Sequence, residues 1–407
     1  MRSITLAIFI LITMTLGHAQ TDTVEKLRQG FRSELEKAGV AGSSLVVIRE
    51  GKPIAEEHYG LAHIEKKQPA NAETIYHWAS NTKPFTGIAI MQLRDRGLLK
   101  IDDPVTKYLP ELRKIHNPFG SMDEITIRHL LTHSGGFRGG TWPWRNNKPW
   151  EPFEPTEWSQ LVAMFPFTEV LFKPGTKFSY SNPGIIYLGR IIEEVSGEPY
   201  EAYIDKNILR PLGMHRSYFD TTPPHLLPHR SHSYFIRDGN RTEGRFDADT
   251  GITVSNSGLN APVADMVKYL NFLVGSPPAR GGVDAASADG VVGAAGGQLV
   301  SGRTPYDTVL KRSSLEEMWQ PALKAETDAN GNSGFTTDIG LIFFIDQRNG
   351  QKLIGHGGDQ NGFLSYIEFN PAAKTASLFV LNTDVGGTRG SDLISGLRRS
   401  LRMVSAK

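Results

Sequence analysis

Cysteine is absent from the 407 residues. That removes disulfide scaffolds, thiolate zinc sites, iron–sulfur clusters and cysteine nucleophiles together. An excess of charge of one sign is also missing: 44 Lys and Arg stand against 43 Asp and Glu, a formal net charge of +1. With no basic arm or stripe, nucleic acid is not an expected partner. The chain has no G-x-S-x-G elbow, no H-E-x-x-H and no glycine-rich phosphate loop following a strand. An α/β-hydrolase triad, a zincin site and a P-loop are therefore set aside. What is present is 39% hydrophobic and 21% charged residues, enough for one large enzyme domain or two intertwined ones and incompatible with global disorder.

The one strongly apolar run, Ile4 to Leu16, follows Arg2 and precedes Gly17-His18-Ala19. A short positive start, an apolar centre and a small-x-small end predict a signal peptide cut near Ala19. The run is short for a bilayer anchor, and later segments offer no span. The expectation is an exported protein, periplasmic or secreted, with no stable membrane insertion and with residues 20–407 as one domain.

Periodicity then organises the chain. Leu27, Phe31 and Leu35 mark an amphipathic helix closed near Gly39, and two strand-like runs (Ser44 to Ile48, and one ending at Tyr59) flank Glu50-Gly51-Lys52 as a hairpin. Thr82 to Arg96 reads as a helix apolar on nearly every side, hence buried. Ile127–Thr132, Glu157–Met164, Pro183–Ser196 and Pro262–Leu273 are further helix candidates, and a mainly helical region covers about 97–215. Residues 276–304 turn to Gly, Ala and Ser and read as a flexible loop. Ile339–Ile345, Phe363–Phe369 and Thr375–Leu381 return to strand patterns, and a helix runs from Ser391. Strands at both ends with helices between predict an α/β (α+β) architecture. In it one antiparallel sheet is built from both termini, flanked by helices, with a helical region inserted.

Chemistry concentrates at Ser80-Asn81-Thr82-Lys83, where an extended segment (Thr74 to Trp78) meets the buried helix. Ser80 and Lys83 lie one helical turn apart on one face. A serine hydroxyl becomes a good nucleophile when a neighbouring base takes its proton, and a desolvated lysine can do so. The plainer reading is an N-cap serine with a surface lysine. The helix that follows is too apolar to leave Lys83 solvated. His129 and His133 at i, i+4, and His225, His229 and His232 in a proline-rich loop, are more simply packing and solvent-exposed groups than metal ligands. No metal and no cofactor are expected.

Ser80-x-x-Lys83 within HWASNTKPFTGIAIMQL, followed by GLLKIDDPV and ITIRHLLTHSGG, resembles the class C β-lactamase superfamily, which includes penicillin-binding DD-peptidases, D-amino-acid-specific peptidases and β-lactamase-like esterases. The resemblance spans roughly Val24 to the C-terminus and is poorest in the small-residue stretch. It implies a β-lactamase/transpeptidase-like fold, an acyl-enzyme on Ser80, and three motifs in order: S-x-x-K, Y-x-N and K/H/W-x-G. Two Y-x-N tripeptides exist, at Tyr180 and at Tyr269. Tyr180 follows a Pro-Gly turn and precedes a helix, and it is preferred over Tyr269 inside an amphipathic helix. The resemblance gives Tyr180 the proton shuttle, working beside the Lys83 cation, and gives Asn182 contact with the substrate amide or the lysine.

His133-Ser134-Gly135 and His356-Gly357-Gly358 both fit the third motif. The first reads as a helix stop. The second takes the position of the family's catalytic strand, with Asp359 N–H completing an oxyanion hole with Ser80 N–H, and Gly357 and Gly358 admitting the substrate closely. Classical β-lactamases carry lysine and a hydroxyl residue here to hold the drug's carboxylate. His356, partly charged at neutral pH, and Gly357 depart from that. The departure shifts the expected substrate from β-lactams toward esters or D-amino-acid peptides. A non-catalytic penicillin-binding or sensor module on the same fold is the alternative.

Overall fold

Glu50 and Gly51 both adopt left-handed backbone, φ 49° and 83°. This is the two-residue hairpin turn that matches strand twist, and it joins β1 (Gly42–Arg49) to β2 (Lys52–His63). The computed structural model describes residues 22–141, 155–244, 249–276, 305–325, 338–348 and 350–405. The expected signal segment and all but Ser276 of the small-residue stretch lie outside them.

A helix, α1, covers 22–38. After the hairpin come β3 (Gln68–Pro69) and β4 (Ile75–His77), a 3₁₀ turn at Ala79–Thr82 and α2 (Lys83–Asp95). The middle of the chain supplies α3 (Ile127–Leu131), α4 (Trp158–Met164), α5 (Asn182–Ser196) and α6 (Tyr200–Ile204). Next follow β5 (Tyr218–Phe219), β6 (Tyr234–Arg237), β7 (Asn240–Glu243), α7 (Val254–Ser257), β8 (Leu259–Pro262) and α8 (Val263–Val274). The last part runs through α9 (Arg312–Glu317), β9 (Leu323–Lys324), β10 (Asp338–Ile339), β11 (Phe344–Arg348), β12 (Gln351–Gln360), β13 (Phe363–Asn370), β14 (Thr375–Leu381), β15 (Thr383–Asp384) and α10 (Gly387–Ser405).

The principal sheet has the order β3-β2-β1-β14-β13-β12-β11-β10-β9, and its pairings are antiparallel. The N-terminal hairpin thus joins the C-terminal strands through β1 and β14, as the strand patterns at both ends predict. Side chains alternate across each strand, so both faces need cover. On one face α1 and α10 bury Leu27, Phe31, Leu35, Leu397 and Leu401 against Leu45, Val47 and Phe379. Each such fully buried side chain contributes on the order of 1.5–3 kcal/mol. The other face carries α2, α8 and the helical region in one continuous core with Val46, Ile48, Phe85, Ile88, Ile185 and Leu270. Lys83 to Leu93 are all buried, as the unbroken apolar pattern of α2 requires.

Among the expected boundaries that shift, two have a visible cause. The strand expected over Ile339–Ile345 is interrupted: Ile342 takes φ 72° and donates its N–H to Leu131 O at 2.7 Å. Its side chain packs where a Cβ on Gly87 would come within 2.8 Å, so contact with α2 overrides strand propensity there. The last helix begins at Gly387, four residues before Ser391, after Gly386 turns the chain at φ 67°.

Candidate active site

Ser80 is placed by a strained turn. Ala79, a residue with a Cβ, holds φ 49°, a conformation that persists only where the surroundings over-determine it. They do so here. Trp78 N donates to Leu259 O at 2.8 Å, the Trp78 indole to Ala261 O at 2.9 Å, and Ser365 Oγ to Trp78 O at 2.8 Å. Asn81 Nδ2 reaches the same Ser365 hydroxyl at 2.8 Å. Strand β13 and β8 therefore clamp the turn from two sides, and Ser80 is left facing a cavity of about 650 Å³ that Tyr180, Asn182, Phe344, His356 and Gly358 also line.

Lys83 is fully buried. Its Nζ lies 2.8 Å from Ser80 Oγ, donates to Asn256 O at 2.9 Å, and sits 4.9 Å from the centre of the Tyr180 ring. Among the described residues no carboxylate pairs with it. Burial alone holds its pKa well below the ordinary lysine value, because desolvation penalises the ammonium form. The surface-lysine reading is thereby excluded. Asn256 reaches the lysine through its main chain, and nothing in the sequence marks it.

Tyr180 is brought to the nucleophile by α5. Ser181 caps that helix by accepting Gly184 N–H at 3.2 Å, and Gly197 closes it at φ 72°. Burial raises the pKa of the Tyr180 phenol, and the Ser80 hydroxyl offsets this only in part. Burial thus works against Lys83 as a standing cation beside the phenol and favours the protonated form of Tyr180. Asn182 opens α5, donates its backbone N–H to Gly139 O at 3.0 Å, and has a buried Oδ1 without a protein partner. Tyr269, by contrast, stacks on Phe85 at 4.3 Å inside the core, away from the cavity lining. The structure brings Ser80, Lys83, Tyr180 and Asn182 together and leaves Tyr269 out.

His356 lies on β12, opposite Ile367 of β13. Its Nδ1–H donates to Gly357 O at 2.6 Å, its Nε2 is buried without a partner, and its pKa is pushed down to about 3 by burial and by nearby Lys83. The expectation of a partly charged imidazole is corrected: this ring is neutral, because its site is dry. Gly358 is required, since a Cβ there would stand 2.3 Å from Trp78 O. Gly357 is not under the same constraint, its nearest atoms standing at 3.8 Å. Asp359 follows at the cavity rim.

His133 is more than a helix stop. It holds φ 51°, stacks on Tyr180 with ring centres 4.5 Å apart, and accepts Ser181 N–H on Nδ1 at 3.1 Å. It fixes the ring that faces the nucleophile, and Phe344 stacks on that ring from another side at 6.3 Å. His129 serves the cap of α3, accepting Thr126 N–H on Nδ1 at 3.2 Å. His232, expected in solvent, is half-buried, pairs with Glu243 and packs on His63 at 3.7 Å. Among the described residues no group of three or more His, Asp or Glu side chains could hold a metal.

The beta-lactamase family model matches residues 27–397. Among curated proteins, Protein flp of Staphylococcus aureus (strain N315) is 30% identical over 201 residues, 49% of this chain and 39% of flp. Esterase EstB of Burkholderia gladioli is 31% identical over 206 residues, 48% of this chain and 51% of EstB. The matches thus span about half or less of the curated relatives' length. Among solved structures, the octameric penicillin-binding protein homologue from Pyrococcus abyssi aligns with TM-score 0.73 and 27% identity over 94% of this chain and 78% of its own.

Proposed function

The chain belongs to the beta-lactamase family, and from that premise we propose that it is an exported serine hydrolase forming an acyl-enzyme on Ser80. Its substrate is a small carboxylic ester or an amide, such as a β-lactam or D-amino-acid peptide, with esters turned over in preference to β-lactams. The observation that carries this reading is the 2.8 Å approach of a fully buried Lys83 Nζ to Ser80 Oγ. A neutral amine that gives one N–H to Asn256 O keeps its lone pair for the serine proton.

Ser80 Oγ bonds to the carbonyl carbon while its proton passes to Lys83 Nζ. The carbonyl electron pair moves onto oxygen, where backbone N–H groups of Ser80 and Asp359 would receive it. As the intermediate collapses, the bond to the leaving group breaks. Tyr180 OH gives that group its proton and recovers one from Lys83 through the site. Water then attacks the Ser80 ester by the same relay, releasing the acid and restoring the serine.

The similarity to Esterase EstB and the absence of a cation at the third motif favour the ester. Export rests on the apolar run Ile4 to Leu16 after Arg2, and N-terminal sequencing of the protein from its host checks it. The test of the activity is labelling by a fluorophosphonate probe together with turnover of a short-chain p-nitrophenyl ester and a chromogenic cephalosporin. The wild type is expected to be labelled on Ser80 and to favour the ester in kcat/KM, and Ser80→Ala to lose both. Neither labelling nor turnover would replace the enzyme with a binding module on the same fold.

A further inference from the structure

We infer that His356 presents a fixed hydrogen-bond acceptor to the substrate. The site then selects leaving groups that carry a neutral donor, a hydroxyl or amide N–H, and rejects those carrying a carboxylate. The inference rests on the Ser80 reading of the site and names the substrate class for it.

The polarity is set by one contact. Gly357 O can only accept, so the nitrogen 2.6 Å away, Nδ1 of His356, carries the proton. The remaining nitrogen, Nε2, is then a bare lone pair. It is buried without any protein partner, on a side chain that is 2% exposed and lines the cavity that Ser80 faces. Buried polar atoms in folded proteins are nearly always satisfied, so an orphaned acceptor beside a nucleophile points to a donor arriving with the ligand. Asn182 Oδ1, on the same cavity, is likewise buried without a partner. Two unpartnered acceptors therefore line the cavity that Ser80 faces.

The cations along the rest of the cavity do not reverse this. Gly357 pairs with Tyr366 and His356 with Ile367, and successive side chains point to opposite faces. Tyr366, Arg398 and Arg402 therefore belong to the other face of the sheet. There Arg402 is held by Glu368 at 3.0 Å and Asp346 at 2.9 Å, and Arg398 lies over the Tyr366 ring at 4.4 Å. Arg237 is paired with Asp384. A carboxylate at His356 would meet a lone pair instead of an ammonium.

The test uses three aryl acetates differing at the 3-position of the phenol: hydroxymethyl, methyl and carboxylate. Each kcat/KM is normalised to the ester's hydroxide-catalysed rate. The wild type is expected to prefer hydroxymethyl over methyl by about 10-fold, and methyl over carboxylate by about 10-fold again. His356→Lys is expected to move the carboxylate ester to first place. Equal rates for all three, or a carboxylate preference in the wild type, overturns the donor preference while leaving the Ser80 reading intact. Failure of all three esters, with no acetyl group on Ser80 by intact mass, overturns the Ser80 reading instead. The polarity has its own readout. In ¹⁵N-histidine-labelled protein at pH 7, Nε2 of His356, assigned by its loss in His356→Gln, is expected at the shift of an unprotonated imidazole nitrogen. A protonated Nε2 overturns the inference whatever the kinetics.

Discussion

Replacing Lys83 with methionine should remove activity and, at the same time, remove a pH-dependent load on the fold. The methionine keeps the volume of a side chain that is fully buried and takes away the base 2.8 Å from Ser80 Oγ. Loss of a positioned general base lowers rates by roughly 10²–10⁴. The stability effect has two parts. Asn256 O loses its 2.9 Å donor, a cost of about 1–3 kcal/mol that does not vary with pH. Against this, burial depresses the folded lysine's pKa well below its ordinary value, while the unfolded lysine keeps its proton to about pH 10.4. Between those two values the unfolded chain binds one more proton than the folded chain. Wild-type stability therefore rises with pH by about 1.4 kcal/mol per unit relative to the variant. For a chain of this length that is roughly 2 °C of Tm per pH unit. Thermal unfolding of both proteins from pH 8 to pH 10 at constant ionic strength measures the difference. Wild type should gain on Lys83→Met as pH rises. A difference flat across that range would mean that Lys83 stays protonated in the folded protein, and the amine could not then be the base.

Tyr180→Phe should lose roughly 10²-fold or more in kcat/KM, whereas Tyr269→Phe should retain wild-type rates. Because the Tyr269 hydroxyl is buried without a partner, Tyr269→Phe should also unfold no more easily than wild type, and the reverse ranking in activity would exchange the two tyrosines' roles. Gly358→Ala places a Cβ 2.3 Å from Trp78 O, so it should displace the Ser80 turn and slow fluorophosphonate labelling at least 10-fold. Gly357→Ala, with 3.8 Å of room, should label at the wild-type rate. Asp220 has its pKa raised to about 7 by burial, so its contribution to stability is fully present below the unfolded value near pH 4 and lost as pH rises through about 7. Asp220→Asn should flatten the wild type's decline in Tm between pH 4 and pH 7, and an unchanged slope would assign that decline elsewhere.

The parts of the fold legible in the sequence were those with strong periodicity or a single turn solution. The all-round apolar pattern of Thr82 to Arg96 gave the buried α2, and Glu50-Gly51 gave the hairpin. Ser80 and Lys83 were legible because a one-turn spacing on such a helix leaves the lysine nowhere wet to go. The strand carrying His356 was not legible from its own residues. KLIGHGGDQ holds three glycines, which disfavour strand locally, and it becomes a strand because pairing with β11 and β13 and the approach to Trp78 O leave no room for a Cβ at Gly355 or Gly358. His133 looked like a helix stop because its value lies in stacking on a tyrosine distant in sequence. Asn256 could not be found at all, since it acts through a carbonyl that every residue possesses.

The site's chemistry follows from what surrounds Lys83 more than from the motif that contains it. Had a carboxylate paired with this amine, the ammonium would be the resting form and no lone pair would face Ser80. Instead its neighbours are a carbonyl, a hydroxyl and the face of a phenol ring. The two nearby imidazoles are themselves held neutral by burial. The carbonyl is held by the α7 segment, where Thr86 Oγ1 donates to Ser255 O at 2.6 Å and Leu259 N donates to Thr82 Oγ1 at 3.0 Å. Thus α2 and the 3₁₀ turn before it carry the lysine and the two hydroxyls that hold the segment bearing the lysine's acceptor. A group built this way has no charge to lose before reaction and gains one only as the serine attacks. In the proposed reaction the oxyanion forming at the same moment is the first anion the new ammonium meets, so their attraction is realised only along the reaction path.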